Sequence, residues 1–212
     1  MLQRGDPVIF LLHSEMIAFL KNLVSRFVEP QHIVDAGDDI KTIKYNDPTC
    51  QLEDGKIHIG MLTRSRQRKL LEDGDIVPST VSKFFKGVRS FYMCATSYAL
   101  SHLPLDDEVL LNAKFVDVQK RLLADFTQVT YFVARFSELL PYSDMKSQER
   151  LFEQFSQYQL KLDNAIPAYV WNDAKVLEKD EDDEPVVYYR MDVLWAYLGS
   201  MTDQVTGQPS FC

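Results

Sequence analysis

The stretch Thr80–Leu103, TVSKFFKGVRSFYMCATSYALSHL, decides the fold class. Val81, Phe84, Phe85, Val88, Tyr92, Ala95, Ala99 and His102 recur at three- and four-residue steps, and Phe91 and Tyr98 widen the stripe. That period is helical, and so broad an apolar face predicts a helix buried between others. Pro104 stops it. Ser79 or Thr80 is placed to cap its start by accepting from free backbone N–H groups.

Working outward, the same period appears on both sides. Residues 8–28 place Met16, Ile17, Leu20, Leu23, Val24, Phe27 and Val28 on one face, ended by Pro30. Residues 61–73 are helix formers, broken by Gly74. Asp106, Asp107 and Glu108 begin a helix where the positive end of the macrodipole favours acids, and it breaks near Ala124. Residues 125–140 present Val129, Phe132, Val133, Phe136 and Leu140. The next helix, capped by Ser143, presents Met145, Leu151, Phe152, Phe155, Tyr158 and Leu162. A last one carries Val193, Leu194, Tyr197, Leu198 and Met201. Between the helices, IKTIKYND and KIHIG alternate and predict a small extended or hairpin insert near 38–60. IPAYVW predicts a short extended piece, and LEKDEDDEP a solvated acidic loop.

The fold expected is therefore mainly α: an irregular multi-helix array with a small β-like insert. The expected layout is a helical domain over 1–177, the acidic loop over 178–186, and a terminal helix and tail over 187–212.

The chain has 212 residues, 46% hydrophobic and 12% aromatic, enough to bury a core without staples. Its net charge is −8. A free-standing nucleic-acid binder carries a basic excess, so any such role needs a local patch. Cys50, Cys94 and Cys212 are odd in number and lack a CxxC pair, which fits a reducing compartment. Cys94, mid-helix among aromatics, reads as a packed thiol, and Cys50, in a turn, as exposed. The opening MLQRGDPVIFLLHSEM lacks the pattern of a signal peptide, no run of 18 apolar residues suggests a membrane span, and both ends fit either a domain's limits or a truncated product.

No catalytic pattern stands out. Asp106, Asp107 and Glu108 point about 100° apart on a helix and do not converge on one ion. The run Glu178–Glu184 lacks the alternation and glycine of a calcium loop. His13, His32, His58 and His102 include no pair at helical ligand spacing. His102 reads as a half-buried side chain or a partner of its helix C-terminus. No catalytic, metal or cofactor-binding residue is assigned, no cofactor is implied, and no small-molecule ligand is inferred.

One patch remains: Arg64, Arg66, Arg68 and Lys69 within GMLTRSRQRKLLEDGD. Arg64 and Arg68 share a helical face while Arg66 and Lys69 point elsewhere, a ring rather than a stripe. It reads first as a solvated face, then as a contact to a nucleic-acid backbone, then as salt bridging to the acidic loop. Lys83, Lys86 and Arg89 add a second basic strip.

The runs FLKNLVSRFVEP, IKYNDPTCQLEDGKIHIG, FFKGVRSFYMCATSYALSHLPLDDEVLLNAKFVDV, DFTQVTYFVARFSELLP, LFEQFSQYQ and MDVLWAYLG occur in that order. Together, over Leu12 to Leu198, they resemble the helical region of vertebrate proteins derived from hAT-superfamily DNA transposases. In that family an all-helical insertion splits a ribonuclease-H-like core whose two aspartates and one glutamate hold divalent metal. The resemblance covers the insertion and its exit. The family's zinc finger is not matched, and neither is its Glu-Arg run after small residues; the one Glu-Arg here, Glu149–Arg150, follows MKSQ. No catalytic residue transfers. The resemblance implies a non-catalytic helical fragment, domesticated or decayed, and a nuclear location; failing that, the lack of a signal-peptide pattern leads to the expectation of a cytoplasmic chain that is not secreted. Weak non-specific DNA contact through Arg64, Arg66, Arg68 and Lys69 is expected, with self-association as the alternative.

Overall fold

Proline and aspartate set most of the helix starts. The computed structural model describes residues 8–140, 142, 144–179 and 185–201. Helix α1 spans Ile9–Ser25 and α2 spans Pro30–Ala36, with Pro30 in the first turn, where its missing N–H costs nothing. Helix α3 spans Met61–Glu72 and α4 spans Pro78–His102. Pro78 opens α4, and the expected caps Ser79 and Thr80 lie inside the helix; Val77 precedes it without a side-chain bond. Leu103, extended before Pro104, closes it.

The described residues fall into two compact units. One is His13–Leu105; the other joins the residues up to Leu12 with those from Asp106 onward. In the first unit Phe27, fully buried, stacks on Tyr92 with ring centroids 5.6 Å apart. Leu20, Val24, Ile40, Ile43 and Ile57 complete this core. Of the broad stripe on α4 only Phe85, Tyr92 and Ala99 are buried, joined by Thr96 from outside it, while Phe84, Phe91 and Tyr98 stay outside. The helix is one-sided, not enclosed.

The insert near 38–60 is not a hairpin. It forms 3₁₀ turns at Ile40–Thr42 and Pro48–Cys50. Alternation would send Ile40 and Ile43 to opposite faces, yet both are buried. Three residues per turn puts positions i and i+3 on the same side, which explains the pair. Asp47 accepts from the backbone N–H of Thr49 at 2.9 Å and anchors the second turn. Extended pairing here is a single bridge, Val28 to Gln51, with Leu52 N–H donating to the Phe27 carbonyl at 2.8 Å.

The second unit contains α5, Glu108–Asn112, started by Asp107, whose carboxylate accepts from the N–H groups of Val109 and Leu110. The helix expected to run to Ala124 becomes 3₁₀ turns at Ala113–Val116 and Val118–Leu123, reset by the cap Asp117. Helix α6, Phe126–Arg135, opens with a capping box of Asp125 and Gln128. Helix α7, Met145–Leu160, is capped by Asp144; the expected cap Ser143 lies outside the described residues. The piece expected to be extended forms α8, Ala168–Ala174.

Strands β1, Lys175–Lys179, and β2, Pro185–Tyr189, pair antiparallel with Lys175 opposite Tyr189. They take up both ends of the expected acidic loop; residues 180–184 lie outside the described residues. Pro185 begins its strand, where a missing donor is tolerated. Helix α9, Met191–Ser200, buries Met191, Leu194 and Leu198 against Phe10, Val118, Phe155, Tyr158, Ile166, Val170 and Ala174. The chain is thus mainly helical with a small two-stranded sheet.

Candidate functional site

The four cations of α3 part company in the folded unit. Gly60, at φ 80°, turns the chain into α3, a conformation that costs glycine little. Arg64, Gln67 and Leu70 turn half-inward at three-residue steps. The Arg64 guanidinium donates to the carbonyls of Ile57 and Asp54 and lies 5.7 Å from the centre of the Phe85 ring. It is a staple for the irregular segment before α3 and is spent there. Arg66, Arg68 and Lys69 are exposed, and no described residue pairs with them. Arg66 and Lys69, three apart, share a face.

The second basic strip divides in the same way. Arg89 pairs with Asp54 and donates to the Leu52 carbonyl at 2.8 Å. Lys83 and Lys86 are exposed and meet no described partner. Five cations on α3 and α4 therefore have no partner among the described residues. Glu72, Asp73 and Asp75 follow at the end of α3 and bound the patch on that side. Bridging from the patch to the acidic run concerns residues 180–184, outside the described residues.

Charge is distributed unevenly between the units. His13–Leu105 carries 12 Lys and Arg against 11 Asp and Glu, while the rest of the chain carries 11 against 20. A phosphate backbone approaching the first unit meets a near-neutral body with a basic edge.

Other candidate groups sit differently from expectation. Cys94 is exposed, because it lies about 200° round α4 from the buried Tyr92. Cys50 is buried, because its 3₁₀ turn is clamped by Glu29 N–H donating to the Cys50 carbonyl. His102 is exposed rather than half-buried; its Nδ1 lies 2.8 Å from the Tyr98 carbonyl in the last turn, and its ring stacks on Tyr98.

In the second unit a cavity of about 200 Å³ is lined by Phe115, Phe132, Phe155, Tyr158, Trp195 and Gln154, among others. The Tyr158 hydroxyl donates to the Phe115 carbonyl at 2.8 Å, and burial, with Asp117 nearby, pushes its pKa well above the ordinary tyrosine value. Tyr158 is held as a neutral donor and does no acid–base work near neutrality. Among the described residues, no group of His, Cys, Asp and Glu is arranged to hold a metal ion, and no helix is long and apolar enough to cross a membrane.

No family model matches the chain, and no curated protein or solved structure matches it.

Proposed function

We propose that this protein is a non-catalytic helical module that makes weak, sequence-independent contact with a nucleic-acid backbone through Arg66, Arg68, Lys69, Lys83 and Lys86. The supporting observation is the group of five exposed cations without described partners on α3 and α4. The resemblance to the helical insertion of hAT transposase-derived proteins supports the same reading and a nuclear location. Arg64 is withdrawn from the contact set, because its donors are already engaged.

Each cation that meets a phosphate releases condensed counterion, so affinity falls with salt. Five contacts set an upper slope of about −4.5 in log K against log salt for duplex DNA. Fluorescence anisotropy with duplexes of unrelated sequence tests this. Binding should weaken steeply with salt and show no sequence preference. The triple change Arg66→Ser, Arg68→Ser, Lys69→Ser should flatten the slope. Tight binding that survives high salt, or none at low salt, would overturn the reading.

A second reading, self-association, is supported by a different observation: Phe84, Phe91 and Tyr98 stand exposed in a row on α4. Monomeric surfaces carry scattered apolar side chains, and three exposed aromatics aligned on one helix face suit an interface, where aromatics are enriched.

A further inference from the structure

Helix α7 turns Leu151, Gln154, Phe155 and Tyr158 inward, three or four residues apart. Three of these suit a core; the primary amide of Gln154 does not. Gln154 is 9% exposed, and it lines the cavity of about 200 Å³ walled by α6, α7 and α9, all within the unit from Asp106 onward. Its side chain meets no partner among the described residues. Gln148 and Gln159 of the same helix do, donating to the carbonyls of Tyr142 and Ala124 at 3.2 and 2.7 Å. Two other donors on the wall are spent: the Tyr158 hydroxyl on the Phe115 carbonyl, and the Trp195 indole N–H on the Val116 carbonyl at 2.8 Å. Among the described residues of the wall there is no Asp, Glu, Lys, Arg or His.

We propose that this cavity binds a small neutral molecule: one aromatic ring carrying an amide-like edge, whose donor and acceptor pair with the Gln154 amide. Size, charge and polarity each narrow the ligand. A cavity of about 150 Å³ with aliphatic and Phe walls takes up benzene, so this larger one has room for a ring and a small polar group. A charged ligand would be buried without a counter-charge, which costs more than contact with the walls returns. A purely apolar ligand would leave the glutamine amide unpaired, at its full desolvation cost. That amide presents an acceptor beside two donors, so an amide-like edge meets it with two parallel hydrogen bonds. Phe115, Phe132 and Phe155 on the wall offer the ring the edge-to-face contacts that aromatic pairs favour. The inference goes beyond the nucleic-acid reading and does not depend on it, since the cations named there lie in the other unit.

Saturation-transfer NMR titrations of the full chain with benzamide, toluene and benzoate at neutral pH test the site. Benzamide should bind saturably with a dissociation constant of about 1 mM or tighter, within reach of so few heavy atoms. Toluene should bind about 10-fold more weakly, and benzoate should not bind in that range. Gln154→Leu should weaken benzamide about 10-fold and leave toluene unchanged or tighter. The same variant should keep its circular dichroism and melt no lower than wild type, because it removes an unpaired buried amide. Gln157→Leu, at an exposed position of the same helix, should leave benzamide unchanged. The comparison of the three probes on wild type stands whether or not a variant folds. No saturable benzamide binding up to about 10 mM overturns the inference and leaves the amide to water alone. Toluene equal to benzamide, or benzamide unaffected by Gln154→Leu, overturns the pairing with Gln154. Benzoate as tight as benzamide overturns the neutral ligand.

Discussion

His13–Leu105 and the unit from Asp106 onward solve one problem with one device, then differ in what they leave outside. Each contains irregular backbone whose carbonyls need donors, because a buried orphan polar group is costly. Each supplies an arginine: Arg64 donates to Ile57 and Asp54, and buried Arg121 donates to Lys161, Val118 and the Asp163 carboxylate. The guanidinium suits this role, with five donors in a fixed fork. The outer surfaces then diverge. The first unit leaves five cations of α3 and α4 and an aromatic ridge exposed. The second has the greater share of the acids and packs Phe126, Phe152, Phe155, Tyr158 and Trp195 edge to face or tilted against one another. A basic cluster in a sequence is therefore a mixture of roles, and only the cations without a carbonyl or carboxylate to hold remain available to a ligand.

The sharpest way to break this comparison is through the cores. Phe27→Ala should cost about 3–5 kcal/mol and Leu194→Ala about 2–5 kcal/mol. Differential scanning calorimetry should show each lowering a separate component of the melt. If both shift one shared transition equally, the two units fold as one. Next come the staples. Arg64→Ala and Arg121→Ala should each cost about 1–3 kcal/mol, by leaving carbonyls without donors. In chemical denaturation the first should unfold His13–Leu105 earlier, while the DNA salt slope stays unchanged. A changed slope would return Arg64 to the contact set.

A smaller effect separates packing from hydrogen bonding. Thr96 is fully buried, and its hydroxyl finds no partner among the described residues. Thr96→Val should be neutral or stabilising by up to about 1 kcal/mol, since it removes an unpaired polar group at equal volume. A clear loss of stability in thermal melts would mean that the hydroxyl is satisfied. The smallest effect is in acid. Bonds from Thr49, Thr127 and Ser147 hold Asp47, Asp125 and Asp144 below the ordinary carboxylate value of 3.8. Folded values below the unfolded one mean that these caps stabilise above pH 3.8 and lose that contribution as pH falls through the depressed values. Two of the three sit in the second unit, so an acid titration followed by circular dichroism should show helix content falling below pH 3.8 as α6 and α7 lose their caps. Removing the cap with Asp125→Ala should abolish that acid response in α6.

Legibility varied with the signal. The end of α4 was readable from Pro104, because a proline acts on its own neighbour, whereas α1 stops at Ser25, short of the expected 28, and Pro30 opens α2 instead of closing α1. The acids before α5 were readable for the same local reason. The insert was not: Ile40 and Ile43 fit an alternating strand and a 3₁₀ turn equally well on paper, and their common core decided between them. The strands at 175–179 and 185–189 were missed because the acidic run between them outweighed KVLEK and PVVYY. In the candidate site all four cations of α3 were visible in the sequence, but the one already committed was not. The aromatic ridge lay within the stripe assigned to the core, and its signal was the excess width of that stripe.

By itself the sequence determined that the chain is mainly helical, where most helices lie, and that basic residues gather on α3 and α4. These follow from period, proline and charge, which act within one or two turns. Only the tertiary structure decided which face of α4 is buried, which arginines are spent on carbonyls, and that Cys50 is inside and Cys94 outside. A helix that is apolar more than halfway round has no inward side of its own. Phe27, Leu52, Asp54 and His58, distant along the chain, supply the contacts that choose one.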